Sequence, residues 1–174
     1  MKMKKIVACA ALMAATCVSA PALAGVSGNV GVFSDYIFRG ITQTNGGASV
    51  QGGMDYSTDV GLYAGTWISN LNGGSASYET DIYGGYAGEY AGFGYDVGVI
   101  HYYYRGTPSA STTEFYVGGS FENLSAKVYY TDNAASSGKS AYYATANFGI
   151  PVTETVTITP AIGYSFGKAF DAPA

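Results

Sequence analysis

The sequence predicts an all-β fold: an antiparallel up-and-down transmembrane β-barrel, of which about nine strands are present. The first observation is that, after residue 24, segment after segment alternates apolar residues with small or polar ones. The second is that no run of 18 apolar residues occurs after that point, which excludes membrane-spanning helices. The third is an export signal ahead of the alternating part. An exported chain with this pattern is most simply explained by an outer-membrane barrel.

The first 24 residues predict a cleaved export signal. Three lysines precede residue 6, an apolar run covers residues 6–20, and Ala22-Leu23-Ala24 supplies a small-x-small cleavage site. The chain is therefore divided into a signal peptide, residues 1–24, and an incomplete outer-membrane barrel domain, residues 25–174. The predicted location is the outer membrane of a Gram-negative bacterium, with outer-membrane lipid as one partner.

Composition narrows the class of protein further. The 17 Tyr, 8 Phe and 25 Gly, with only 11% charged residues, suit a barrel with aromatic girdles and small interior residues. Five basic and twelve acidic residues follow residue 24, and this acidic balance argues against nucleic-acid binding. Both cysteines, Cys9 and Cys17, lie in the signal, which removes disulfides and thiol chemistry from the exported part. We expect no cofactor.

Period-2 alternation places the strands and their two faces. In the first strand the even positions, such as Val30, Tyr36 and Phe38, are predicted to face lipid, although Phe33 and Ile37 blur the pattern. The strands are predicted at residues 28–41, 48–57, 61–69, 78–89, 93–104, 113–121, 124–131, 141–150 and 156–166. The lipid face is predicted to hold Val30, Val32, Val50, Met54, Ile82, Val97, Val99, Val128, Ala144 and Phe148.

Three strands carry particular information. The second and fourth alternate most cleanly and set Asp55 and Asp81 opposite their apolar positions. The fifth has aromatic residues at both ends and Val97 and Val99 in the middle, the order that a bilayer imposes on a spanning strand. The ninth contains Pro160, which cannot donate a ladder hydrogen bond and weakens that strand.

The predicted connections alternate in length. Residues 42–47, 70–77, 105–112 and 131–139 are longer, and residues 57–60, 90–92, 122–123 and 151–155 are shorter. This alternation is typical of a barrel with one rim outside and the other in the periplasm. Glycine doublets at 52–53, 84–85 and 118–119 hint at a hairpin repeat or mark places where strands bend or interior side chains need room.

Several segments resemble a known bacterial family. They are NVGVFSDYIFRGITQT at 29–44, VQGGMDY at 50–56, GLYAGTW at 61–67, DIYGGY at 81–86 and YDVGVIHYYY at 95–104. In order and spacing they resemble the TorF-type porins, a proteobacterial outer-membrane family of unknown function also called Gcw_chp. The resemblance implies a porin-type barrel with no known solute and no catalytic residues.

The resemblance also bears on closure of the barrel. Family members usually continue for several more strands and finish near an aromatic residue, whereas this chain stops at Ala174. Nine strands are also an odd number, whereas bacterial single-chain barrels have even numbers. We therefore expect a C-terminally truncated, unclosed barrel, unless one predicted strand is wrong.

The candidate site residues are charges, because no catalytic or metal-binding constellation stands out. His101 is the only histidine and is predicted to face outward as a girdle residue. Glu89 and Glu114 are read only as interior or rim charges. The charges could line a water-filled lumen or pair with one another to fill a narrow interior. The candidate lumen-lining residues are Asp35, Arg39, Asp55, Glu79, Asp81 and Lys127.

The predicted function is that of a porin, giving passive and weakly cation-selective passage to small polar solutes. The alternative is a non-conducting structural or surface-exposed small barrel. An outer-membrane enzyme ranks lowest, so we expect no enzymatic activity. About eight strands leave an interior filled by side chains, whereas larger barrels leave space for water, so strand number separates the first two hypotheses.

Overall fold

The computed structural model describes residues 25–171, so the predicted export signal, residues 1–24, lies outside the described residues. Within residues 25–171, no helix is long and apolar enough to cross a membrane. Two 3₁₀ turns, Pro108–Ala110 and Ala134–Ser136, lie between strands. The strands are β1 (Gly25–Phe33), β2 (Ile37–Phe38), β3 (Ile41–Thr42), β4 (Ser49–Ser57), β5 (Leu62–Asn70), β6 (Tyr78–Tyr90), β7 (Phe93–Arg105), β8 (Thr112–Phe121), β9 (Leu124–Thr131), β10 (Ala141–Phe148), β11 (Ile150–Pro151), β12 (Thr157–Ile158) and β13 (Ala161–Phe166).

Nine strands form one antiparallel sheet in the order β1-β4-β5-β6-β7-β8-β9-β10-β13. Each strand pairs with the next long strand along the chain, which is the up-and-down arrangement that the alternation predicted. The two edge strands, β1 and β13, do not pair with each other, so the sheet is not closed within residues 25–171. The predicted all-β antiparallel fold is confirmed at this level.

The two faces of the sheet differ sharply in polarity. The ladder register puts Val32 beside Val50 and Val117 beside Val128 on one face. Large apolar side chains on this face are exposed: Val30 is 80% exposed and Ile82 is 64% exposed. The ten residues predicted to share a lipid face do share this one, and all are exposed except the half-buried Ala144.

The polar face is concave. The hydroxyl of Tyr63 on β5 lies 2.5 Å from the hydroxyl of Tyr116 on β8. Three strand spacings in a flat sheet would set these strands about 14 Å apart with their side chains parallel. The sheet must therefore curl toward the polar side to bring the two hydroxyls together. Below, this surface is called the concave face and the apolar one the convex face.

The first predicted strand, residues 28–41, is wrong in its second half. β1 ends at Phe33, and residues 34–48 leave the sheet and fold across the concave face. Their hairpin, β2–β3, turns at Arg39 and Gly40, both with positive φ (48° and 83°), as a type I′ turn requires. Tyr36, predicted to face lipid, is 4% exposed and packs edge-on against Trp67 with ring centroids 5.2 Å apart.

The hairpin is tied to the sheet and to a neighbouring loop. The carbonyl of Tyr36 accepts a hydrogen bond from the backbone N–H of Gln43 (2.7 Å). The carbonyl of Gln43 in turn accepts one from the N–H of Asn72 (2.9 Å), in the β5–β6 connection. The buried hydroxyl of Thr44 accepts the N–H of Tyr36 (3.0 Å), which fixes the base of the hairpin. Residues 34–48 therefore form an ordered insertion into the concave face.

The last two predicted strands, residues 141–150 and 156–166, are shorter than expected. β10 ends at Phe148, the small β11–β12 ladder leaves the main sheet, and β13 begins only at Ala161. Pro160 lies between β12 and β13, where its missing N–H is harmless, and its carbonyl accepts the N–H of Phe148 (3.1 Å). The predicted short connection at 151–155 is accordingly part of a longer one, residues 149–160.

Candidate functional site

The concave face gathers most of the charged side chains of the sheet together with a set of tyrosines. Side chains alternate between the two faces along each strand, so the polar residues between the apolar positions all point to the concave side. Three carboxylates are buried there: Glu79 is fully buried, and Glu114 and Asp81 are 5% and 6% exposed. The charged and tyrosine residues that the register places on this face are Asp55, Tyr63, Glu79, Asp81, Tyr83, Glu89, Asp96, Tyr102, Tyr104, Glu114, Tyr116, Lys127, Tyr129 and Tyr143.

Arg39, at the tip of the β2–β3 hairpin, forms a bidentate ion pair with Glu114 on β8. Its Nη1 donates to Oε1 (2.9 Å) and its Nη2 donates to Oε2 (2.5 Å). The hydroxyl of Tyr102 on β7 donates to the same Oε2 (3.3 Å). This two-point contact is the geometry that a planar guanidinium and a carboxylate favour, and it fixes the hairpin tip against the wall.

Aromatic rings surround the same guanidinium. The Cζ atom of Arg39 lies 4.3 Å from the ring centroid of Tyr143, 5.2 Å from that of Tyr129 and 4.8 Å from that of Phe38. All three distances are within the range of cation–π attraction. Arg39 is thus held by one anion and three ring faces. We call the sheet residues of this arrangement, Tyr102, Glu114, Tyr129 and Tyr143, the Glu114 box.

A second ion pair lies nearer the end of the sheet with short connections. Lys127 on β9 donates to Oδ2 of Asp96 on β7 (2.5 Å), and the hydroxyl of Tyr63 donates to Oδ1 of Asp96 (2.6 Å). The ammonium also lies 4.6 Å from the ring centroid of Tyr116. About a quarter of each charged side chain remains exposed, so this pair is more open to water than Glu114, whose side chain is 7% exposed.

Glycines on neighbouring strands make room for the tyrosine rings. Gly65 lies opposite Tyr83 in the ladder, and a Cβ added to Gly65 would come within 2.5 Å of that ring. Gly85, part of a doublet noted in the sequence, lies opposite Tyr63, and an added Cβ would come within 2.5 Å of its hydroxyl. The rings therefore lie across the backbone of the adjacent strand instead of projecting into the interior.

A recess of about 320 Å³ opens between these rings on the concave face. Its lining combines tyrosine rings with one carboxylate and one ammonium group. Its volume lies within the range of small-molecule sites in proteins. The residues that line it are Tyr63, Tyr83, Asp96, Ile100, Tyr102, Tyr116, Lys127 and Tyr129.

Glu79 and Asp81 form the other buried acidic region of this face. The hydroxyl of Tyr36 in the hairpin donates to Oε1 of Glu79 (3.2 Å). Oε2 of Glu79 and Oδ1 of Asp81 are buried without a hydrogen-bond partner. Within residues 25–171, both ion pairs of the sheet interior belong to Glu114 and Asp96, so no cation compensates Glu79 or Asp81.

The structure places five of the six predicted lumen-lining residues at the concave face. Asp55 accepts a hydrogen bond from the hydroxyl of Tyr83 (2.5 Å), and Arg39 arrives on the hairpin instead of on a sheet strand. Glu79 and Asp81 are neighbours on β6, whereas the two predicted cations pair with Glu114 and Asp96, outside the predicted set. The six predicted residues are Asp35, Arg39, Asp55, Glu79, Asp81 and Lys127.

Asp35 is the sixth predicted residue and lies within the hairpin segment itself. Its Oδ1 accepts hydrogen bonds from the hydroxyls of Thr44 (2.6 Å) and Thr42 (2.7 Å). These two bonds, that of Thr44 first, lower the pKa of the Asp35 carboxyl below its ordinary value. Asp35 therefore stabilises residues 34–48 locally and forms no contact with the charged residues of the sheet wall that the structure describes.

Asp96 and Glu114 are the site residues missing from the predicted lumen-lining set, although Glu114 is predicted from the sequence as an interior or rim charge. A signal existed for both, since each occupies the inward parity of a strand whose other positions are apolar. Their pairing with Lys127 and Arg39 could not be read from spacing, because Arg39 and Glu114 are 75 residues apart in the chain. His101, predicted to face outward, is exposed on the convex face with Nδ1 2.8 Å from the Thr113 hydroxyl.

Comparison with known proteins identifies the family. Residues 18–172 match the profile of the Gcw_chp family, described as a bacterial protein of unknown function. A search of curated proteins and a search of solved structures each gave no match. Within residues 25–171, no three His, Cys, Asp or Glu side chains are grouped so as to hold a metal ion. The match covers nearly the whole chain, and the chain therefore belongs to the Gcw_chp family.

Proposed function

We propose that this chain forms the wall of a Gram-negative outer-membrane barrel that gives small polar solutes, cations above all, passive passage along its concave face. The observation that carries the proposal is the contrast between the two faces of one curled sheet. Val30, Ile82 and Phe115 are 61–80% exposed on the convex face, an unusual density of exposed apolar surface for a protein in water. Lipid is the solvent that this face suits, and the export signal that the sequence predicts in residues 1–24 would supply the route of export.

The charge of the concave face supports a preference for cations. Its two basic side chains, Arg39 and Lys127, are both engaged by ion pairs with carboxylates. Four further carboxylates, Asp55, Glu79, Asp81 and Glu89, have no cationic partner among the described residues. A wall of low dielectric constant with surplus negative charge attracts cations and repels anions. The proposed role is passive and uses no catalytic step and no cofactor.

A second candidate function is a non-conducting barrel, and the hairpin favours it. Residues 34–48 occupy the concave face, and Arg39 and Tyr36 connect the hairpin to Glu114 and Glu79 on the wall. Such an insertion narrows any water-filled path and could close it. The two candidates make opposite predictions for electrical conductance.

Single-channel recording of the full chain in planar lipid bilayers separates the two candidates. The proposal predicts discrete conductance steps and, in a salt gradient, a reversal potential on the cation-selective side. The double variant Asp55→Asn with Asp81→Asn should shift that potential toward zero, whereas the exposed control Glu154→Gln should not. Silent membranes over the full voltage range would support the non-conducting barrel. An anion-selective channel would contradict the acidic lumen.

A further inference from the structure

The Glu114 box has two separable parts, a fixed wall and a side chain that fills it. Glu114, Tyr102, Tyr129 and Tyr143 lie on β7–β10, and the hydrogen-bonded ladder of the main sheet holds these strands together. Arg39 lies on the two-residue turn of a separate small hairpin. The anion and two of the three ring faces would therefore keep their places if the hairpin tip moved away.

The backbone of Arg39 shows that its placement has an energetic cost. Its φ of 48° lies in the left-handed region, which is unfavourable for a residue other than glycine. Glycine or asparagine is the usual choice at the first central position of a type I′ turn. An arginine there is compatible with a stable hairpin because its side chain gains the two-point contact with Glu114 and the ring faces.

We infer that the Glu114 box is a binding site for guanidinium-type cations, and that Arg39 is its tethered occupant. A guanidinium is planar, presents parallel N–H groups to a carboxylate, and stacks on aromatic faces. The box offers a buried carboxylate with both oxygens aimed at the cation, and the rings of Tyr129 and Tyr143 beside it. A small guanidinium solute that displaced Arg39 would make the same contacts.

The inference deepens the proposed function, on which it rests for the role of such a solute as cargo. The recess of about 320 Å³ is bounded in part by Tyr102 and Tyr129, which also belong to the box. A solute held by its guanidinium at Glu114 would thus have space for a short chain in the adjoining recess. Arg39 then competes with the solute for the Glu114 box. When no solute is bound, Arg39 occupies the box and the hairpin blocks the water-filled path along the concave face. When a solute binds in the box, Arg39 is displaced and the hairpin tip moves away.

Calorimetric titration of the full chain in detergent micelles with methylguanidinium tests the inference. Arg39→Ala removes the tethered competitor, and we expect it to bind methylguanidinium about tenfold more tightly than the unaltered protein. Methylammonium carries the same charge without the planar fork and should bind much more weakly. The double variant Arg39→Ala with Glu114→Gln should lose the binding, and Arg105→Ala, an exposed arginine at Tyr78, should behave like the unaltered protein.

Two results would overturn the inference. One is equal affinity of Arg39→Ala for methylguanidinium and methylammonium, and the other is no gain over the unaltered protein. If Arg39→Ala fails to fold, the Arg39→Lys variant serves as the test of the site. It retains a cation beside Glu114 but cannot make the two-point contact with the carboxylate. That variant should bind methylguanidinium more tightly than the unaltered protein, and absence of binding contradicts the site. Calorimetry measures binding without any ionic current. A protein that binds methylguanidinium but shows no conductance would therefore contradict the proposed channel function and leave the binding site supported.

Discussion

Two buried acidic regions lie on the same face of one sheet and differ in how their charge is compensated. Glu114 has both oxygens engaged by Arg39 and a third bond from Tyr102. Glu79 and Asp81 lie on β6, two strands away from Glu114. Glu79 accepts a hydrogen bond from Tyr36, but two oxygens of the pair are buried without partners and no cation within residues 25–171 is near. A buried carboxylate is tolerated when it is paired and is costly when it is not. The first region should therefore stabilise the hairpin, whereas the second should weaken the fold that surrounds it.

The largest expected effect comes from breaking the compensated pair. Glu114→Gln leaves the guanidinium of Arg39 against the wall without its counter-charge and should lower the free energy of unfolding by about 3–5 kcal/mol. Urea unfolding in detergent micelles, followed by the fluorescence of Trp67, measures the loss. Glu89→Gln, at an exposed position on β6, is the matched control and should change stability little. Equal effects of the two substitutions would contradict the assigned importance of the pair.

Removing a buried carboxyl that no cation compensates should change stability in the opposite direction. Asp81→Asn keeps the shape of the side chain and removes a buried carboxyl group that no cation among the described residues compensates, so we expect the free energy of unfolding to rise by about 1 kcal/mol. Glu79→Gln, which retains an acceptor for the Tyr36 hydroxyl, should act in the same direction. The same urea titration applies. A loss of stability as large as that of Glu114→Gln would show that Glu79 and Asp81 have a compensating partner after all.

Breaking the second ion pair, Lys127 with Asp96, should lower the free energy of unfolding less than breaking the first. Lys127→Met leaves Asp96 without its cation, but about a quarter of the Asp96 side chain contacts solvent and Tyr63 still donates to it. Water screening limits the loss to no more than about 1 kcal/mol. The loss should shrink further at high salt, which would not be expected for Glu114→Gln. Unfolding curves at low and high salt for both variants test this ordering.

The smallest effect concerns the base of the hairpin and depends on pH. The pKa of the Asp35 carboxyl is lowered in the folded protein. Its stabilisation of the hairpin is therefore fully present above the ordinary carboxyl pKa of 3.8. That stabilisation is lost as the pH falls through the lowered pKa of the folded state. Trp67, packed against Tyr36, should report the loosening as a change in fluorescence on acidification. Asp35→Asn should abolish that step, whereas Asp171→Asn at the far end should leave it unchanged.

The alternation predicted the sheet well and the hairpin poorly, for one physical reason. Alternation with period 2 indicates that one face of a strand is apolar, and from β4 to β10 the convex and concave positions differ clearly enough in polarity to reveal the strands. Tyr36 and Phe38 continue the same period after the chain has left the sheet, because their rings bury against Trp67 and Tyr102. A pattern of apolar residues cannot distinguish lipid from the interior of the protein as the place of burial.

The charged contacts of the concave face were beyond prediction because they depend on curvature. Parity placed Asp55, Glu79, Asp81 and Lys127 on the inner side, where the structure has them. The partners follow from how tightly the sheet curls and where the hairpin tip reaches, which bring Arg39 to Glu114 across 75 residues. In the sequence, the pair Arg39-Gly40 is the only indication of this turn. The apolar residues alternate with period 2 both before and after the pair, so the alternation predicts one continuous strand.

The central claim is that the convex face contacts lipid and the concave face contacts water. Both cysteines lie in residues 1–24, so single cysteines can be introduced at outward Met54 and Val128 and at inward Gln51 and Ser125, then spin-labelled in lipid vesicles. The account predicts collisions with oxygen at the outward pair and with a water-soluble nickel reagent at the inward pair. Equal exposure of all four labels to the nickel reagent would contradict it.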